Sequence, residues 1–255
     1  MFPYKDENPT LSVPVVTYLL IAANVIVWVV VQGMGSSPML EASVCRYGLI
    51  PGRLFGTIEP GSIVRLAEDV SCRVGRFPAW ATMISSMFLH GGWLHLIGNM
   101  WFLWIFGNNV EDSTGKFRFL LFYFLCGIAA AAVQSFAVAG SRVPMVGASG
   151  AISGVMGGYI VLYPRVRVHL LIFLGIFITT VAVPAYFMLG YWFLLQLASS
   201  FLVVSEESGG IAFLAHAGGF VGGMLLVLFL RNRELVGRRM AHHLPGWGAP
   251  RHRWP

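Results

Sequence analysis

The chain has 255 residues, 56% of them hydrophobic and 11% charged, with a mean hydropathy of +0.72. Soluble domains carry about 25% charged residues, so this composition excludes a soluble globular protein and points to a polytopic membrane protein. The net charge of +6 does not indicate a nucleic-acid binder, because the cations flank apolar segments and form no basic face interleaved with aromatics.

Six segments of membrane-spanning length are predicted near 14–31, 84–106, 117–138, 149–163, 185–204 and 211–230. The first run, Val13 to Val31, is longer than a signal-peptide core of about 7–15 residues and lacks a small-x-small cleavage site, so it reads as a retained span. The loop 32–83 carries Pro38, Pro51, Pro60, five arginines, Cys45 and Cys72. It is long enough for short helices of its own, serving either as a lateral element that touches bilayer or substrate or as a scaffold that braces the bundle. Its two cysteines can pair if the loop faces an oxidising compartment. Cys126 lies mid-span, and no zinc-type cysteine spacing is present.

Farther along, the apolar run 168–183 ends at Pro184. It is placed as a re-entrant or interfacial segment, because a seventh crossing would make the helix starting at 149 and the helix containing 216 antiparallel. Residues 14–230 read as the core of a single membrane domain covering 1–255. The basic tail 231–255, with His242-His243 and Pro245-Gly246-Trp247-Gly248, reads as a polar cytoplasmic end. Eleven of the seventeen lysines and arginines fall on the side of the two termini, which predicts both termini in the cytoplasm; the membrane expected is a prokaryotic cell membrane.

Strongly polar groups inside a span are costly and mark function. Ser149 heads the fourth span in the run Gly147-Ala148-Ser149-Gly150, and His216 stands alone in the sixth. Ser149 lies 16 residues before Arg165, His216 lies 15 before Arg231, and His95 lies 16 before Glu111. At about 1.5 Å of rise per residue all three sit roughly 22–24 Å above the inner boundary of a core about 30 Å thick, hence in one layer. Glycines at 150, 154 and 158 and at 219 and 223 extend stripes from the two reactive residues, which lets their helices approach closely.

All eleven acidic residues fall in predicted termini or loops, so no buried carboxylate is expected beside His216. The pattern favours a Ser-His dyad, with Ser149 as nucleophile and His216 as general base and then acid. His95 and Asn99 are four residues apart and share a helix face. With the Ser149 backbone N–H they are candidates for an oxyanion hole, and His90 is assigned a supporting role beside His95.

Taken together, Gly147-Ala148-Ser149-Gly150, His95-x-x-x-Asn99 and Ala215-His216-x-x-Gly219-x-x-x-Gly223 resemble the rhomboid intramembrane serine proteases over about residues 14–230. The resemblance implies an all-α, six-helix membrane bundle with a large first outer loop and a water-filled cavity open to the outer face. It implies metal-free, cofactor-free cleavage of transmembrane helices of single-pass proteins within the lipid bilayer. It also implies that loop Ser205 to Gly210 caps the site and that Trp192 and Phe193 on the fifth span help gate lateral entry. The chain departs from the family in two places. Some members carry a Trp-Arg pair in the first loop, where Trp80 is followed here by Ala81; some place an aromatic four residues after the nucleophile, where Ser153 stands. Packing or a hydrogen bond must then hold His216.

Three rival readings are weighed: an inactive relative that binds or escorts membrane clients, a metal enzyme built on His90, His95 and His216, and a transporter. The first would be expected to lose the nucleophile or base, and both are kept. The second lacks His-Glu-x-x-His and any membrane carboxylate.

Overall fold

A computed structural model describes residues 2–65, 71–174, 177–202 and 213–243. The chain opens with strand β1 (Phe2–Asp6) and helix α1 (Val15–Val30). A connecting segment follows, with helices α2 (Ser37–Tyr47) and α3 (Pro51–Leu54), the hairpin of β2 (Ile63–Arg65) and β3 (Ser71–Arg73), and α4 (Thr82–Ser85). It carries its own small core of Ile50, Ile58, Val64 and Val74 around a Cys45–Cys72 disulfide. The segment also braces the bundle: Leu49 exchanges backbone hydrogen bonds with Met145, at 3.0 and 2.7 Å, four residues before Ser149.

The predicted second span is shifted along the chain. A single helix over 84–106 is expected, but the chain is extended through Leu89 and His90, and α5 (Trp93–Phe102) begins after the Gly91-Gly92 pair. Two glycines in succession are poor helix formers and suit such a break. At its far end the helical run continues through a wide turn, Leu103–Gly107, into α6 (Asn108–Thr114). Such π-type turns recur inside long helices near functional sites.

That extension overturns the expectation that every carboxylate lies in a loop or terminus. Glu111 and Asp112 are only 2% and 7% exposed inside α6. Glu111 accepts hydrogen bonds from the Val16 and Thr17 amides, at 3.0 and 2.8 Å, and from the Thr17 hydroxyl at 2.8 Å. A carboxylate on the first turn of α1 satisfies orphan amides and opposes the positive end of the helix dipole.

Helices α7 (Lys116–Ala137), α8 (Ser149–Leu162), α9 (Ala185–Leu202) and α10 (Phe213–Leu230) complete the bundle, followed by α11 (Arg233–His243). Among the described residues α7 and α10 are the two helices long and apolar enough to cross a membrane; α1 and α8 are apolar but shorter. The central helix is α8, buried from Ala151 to Tyr159 against α7 and α10.

The described residues of the run 168–183 are not helical, and an all-α chain is therefore corrected. Strands β4 (Arg167–Leu174) and β5 (Phe177–Pro184) form an antiparallel hairpin, and β1 adds to the other edge of β4 in the order β1-β4-β5. Phe2 pairs with Leu171 and Lys5 with His169. Ile172, Ile178, Thr179, Thr180, Val181 and Val183 are β-branched, which suits a pleated strand better than a helix.

At the end of the bundle remote from Ser149, Arg239 of α11 is buried and ion-paired with Asp112. It also donates to Asn8 Oδ1 at 2.7 Å and Asn109 Oδ1 at 2.6 Å. The tail is therefore not simply a polar end; His242 and His243 lie on α11, whereas Pro245-Gly246-Trp247-Gly248 falls outside the described residues. Beside this network burial raises the Asp6 carboxyl from 3.8 to about 6, against the opposing effect of the Tyr159 hydroxyl that donates to it. The folded chain therefore keeps this proton between about pH 4 and 6 while the unfolded chain releases it, so the contribution is full below about 3.8 and is lost as pH rises through about 6. Asp6→Asn should add about 1–3 kcal/mol at pH 7. Thermal unfolding of both proteins from pH 4.5 to 7 checks this: the gap should close on acidification.

Candidate active site

Three elements converge near the start of α8. Ser149 is the first residue of that helix, and its Oγ lies 2.8 Å from Nε2 of His216 on the first turn of α10. Both side chains are half-buried. The helices meet this closely because glycines face backbone: a Cβ on Gly219 would stand 2.1 Å from the Gly150 carbonyl oxygen, and one on Gly223 would stand 1.9 Å from that of Gly154. A third glycine in this seam, Gly157, faces the Phe220 carbonyl and lies outside the expected i, i+4 stripe; Gly158 instead faces Phe122 and Val227.

The approach to Ser149 is shaped by Gly147, whose φ of +127° is a conformation that side-chain-bearing residues rarely adopt. Its amide donates to the Ser86 carbonyl at 2.9 Å. A Cβ at this position would stand 2.7 Å from His95 Nε2, so His95 lies directly against the turn that presents Ser149. Gly147→Ala is expected to lower turnover by about tenfold or more, since it strains the turn and displaces His95 at once. Steady-state kinetics beside a folded-state check by thermal unfolding test this.

On α5, the Gly91 amide donates to His95 Nδ1 at 3.2 Å. With Nδ1 accepting, the proton of a neutral His95 resides on Nε2, which makes that nitrogen a donor on the Ser149 side. Asn99 donates from Nδ2 to the His95 carbonyl at 2.9 Å, and one further N–H remains on the same nitrogen. His95, Asn99, Ser149, His216 and Trp192 all line one cavity of about 470 Å³. His90 stays outside it: its ring packs edge-on against that of His95 at 5.1 Å, and its backbone is held by Gln32 through two 2.8 Å bonds.

The hydrogen bond and the packing that hold His216 both come from α9. Its Nδ1 lies 2.8 Å from Oε1 of Gln196 on α9, and the Trp192 ring, one turn earlier, lies 6.0 Å away at a tilt of 38°. Ser153, in the position where an aromatic was sought, donates from Oγ to the Ser149 carbonyl at 2.6 Å. The sequence signal was faint: Gln196 is an amide in the middle of an apolar span, four residues after Trp192. Phe193 stacks on Phe220 at 4.8 Å and so fastens α9 to α10. Segment 205–210, expected to cap the site, lies outside the described residues, and Trp80 is exposed.

A hydroxyl bonded to an imidazole, beside two donors and the free amides of a helix N-terminus, is equipped for nucleophilic attack on a carbonyl and for holding the resulting oxyanion. Among the described residues no group of three metal-ligating side chains is assembled.

Comparison with known proteins adds kinship to this geometry. Residues 78–233 match the family described as Rhomboid domain. The chain is 42% identical over 78 residues to Rhomboid-like protein 11, chloroplastic, of Arabidopsis thaliana, covering 31% of this chain and 28% of that protein. It is 30% identical over 229 residues to Rhomboid protease GluP of Bacillus subtilis, covering 89% and 37%. It is also 30% identical over 150 residues to Rhomboid protein 1, mitochondrial, of Saccharomyces cerevisiae, covering 56% and 40%. The aligned region thus spans well under half the length of each of these relatives.

Proposed function

The chain belongs to the Rhomboid family, and from that membership we propose that it is an intramembrane serine endopeptidase that cuts transmembrane segments of single-pass membrane proteins. The family comprises integral membrane helical bundles that act on membrane-protein substrates within the lipid bilayer. The observation that carries the reading is the 2.8 Å contact of Ser149 Oγ with His216 Nε2 in a largely apolar cavity that His95 and Asn99 also line.

In the proposed reaction Ser149 Oγ attacks the scissile carbonyl as His216 Nε2 takes its proton. His95 Nε2–H, Asn99 Nδ2–H and the Ser149 amide receive the oxyanion. Collapse breaks the C–N bond, His216 protonates the leaving amine, and an ester on Ser149 remains. Water, deprotonated by the same imidazole, then hydrolyses the ester. Because intrahelical hydrogen bonds shield each carbonyl in lipid, the substrate helix must unwind before it can react.

The architecture we assign has six crossings: α1, the α5–α6 run, α7, α8, α9 and α10. The segment from α2 to α4 then forms the large first outer loop, and substrate enters beside α9. Both termini are placed on the inner side by the distribution of lysine and arginine. The relatives come from a bacterium, a chloroplast and a mitochondrion, so kinship does not single out a prokaryotic membrane.

Reconstituted protein incubated with a panel of single-span substrates should yield fragments cut within or at the edge of the span. Fragments cut only in soluble regions, or none from any substrate, would overturn the reading in favour of an inactive relative that binds clients.

A further inference from the structure

Resting on the dyad reading above, we propose that Gln196 is a positioning residue for His216, fixing which ring nitrogen carries the proton. A base for Ser149 must present a bare Nε2, so the proton of the neutral ring must sit on Nδ1. The Gln196 Oε1 acceptor at 2.8 Å holds that tautomer and fixes the plane of the ring. In Ser-His-Asp enzymes a carboxylate performs this task. Here the buried carboxylates of α6 serve elsewhere: Glu111 binds the start of α1, and Asp112 pairs with Arg239.

The location of the acceptor gives the arrangement a second property. Gln196 and Trp192 are one turn apart on α9, both directed at His216, and α9 is fastened to α10 by Phe193 stacking on Phe220. The base is therefore oriented only while α9 lies against α10. Chemistry therefore requires that helix docked against α10.

The test compares Gln196→Leu, Gln196→Met and Gln196→Glu with wild type in proteoliposomes, using a small serine-directed isocoumarin and a single-span substrate. Loss of one hydrogen bond predicts that the Leu and Met variants are acylated about tenfold more slowly. Their kcat for the helical substrate should fall by a similar factor with KM unchanged. Gln196→Glu keeps the acceptor and should stay within about threefold of wild type. Acylation of both apolar variants at the wild-type rate, or a change in KM alone, would reduce Gln196 to a packing residue of α9. Equal damage in the Glu variant would show that shape matters and not the acceptor. The dyad reading fails separately, if wild type is not labelled or labelling survives Ser149→Ala.

Discussion

Alanine at Ser149, at His216 or at both should reduce cleavage by the same factor, more than about 10³-fold. The equality follows from the 2.8 Å contact. Without His216 the Ser149 hydroxyl keeps its proton and is a weak nucleophile; without Ser149 the imidazole has no proton to take. Either loss removes the whole step, and a second loss removes nothing more. What remains should come from His95, Asn99 and the Ser149 amide polarising a carbonyl toward water. Cleavage of one single-span substrate by wild type, the two single variants and the double variant measures this. If the double variant is slower than either single one by the product of their factors, the two residues act independently and the dyad is wrong.

Adding a methyl at Gly223 should unfold much of what holds that dyad together. The new Cβ would stand 1.9 Å from the Gly154 carbonyl oxygen and 2.6 Å from its Cα. Neither atom belongs to a side chain that can rotate away, so α8 and α10 must separate. The loss should be on the order of 3 kcal/mol, the upper part of the range for overpacking. Since Ser149 and His216 stand on those two helices, activity should fall with stability. Gly190 in α9 has open space around its Cα, and Gly190→Ala should leave the thermal midpoint unchanged or slightly raised. Midpoints of Gly223→Ala and Gly190→Ala measured side by side in one detergent decide the matter; equal midpoints would sink the argument.

How much of this could be read from the residues depends on the kind of signal each emits. Ser149 and His216 stood out because a hydroxyl and an imidazole contrast with their apolar neighbours, and helical rise alone puts them at one depth. The seam between α8 and α10 was legible through Gly150, Gly154, Gly219 and Gly223, but Gly157 was missed because the crossing of two helices, not one helix's period, selects it. The strands β4 and β5 were missed because an apolar run of that length fits a helix lying in the interface equally well. Glu111 and Asp112 were read as a boundary because charge usually marks one. Their burial depends on Thr17, the α1 amides and Arg239, partners about 95 residues before and 127 after in sequence. Gln196 depends on a contact between two helices, which no pattern within one of them encodes.

The Arg239 network also bears on the order in which the chain is assembled. Its guanidinium joins Asn8, Asn109 and Asp112, and the bond to Asn8 spans 231 positions. A ribosome delivers Asp112 long before it delivers α11, so that carboxylate is made well ahead of its counter-charge, and the network closes only once Arg239 has left the ribosome. A chain truncated after Leu230 would carry both Ser149 and His216 yet leave Asp112 without its cation, so the end of the bundle opposite the dyad would stay unlatched.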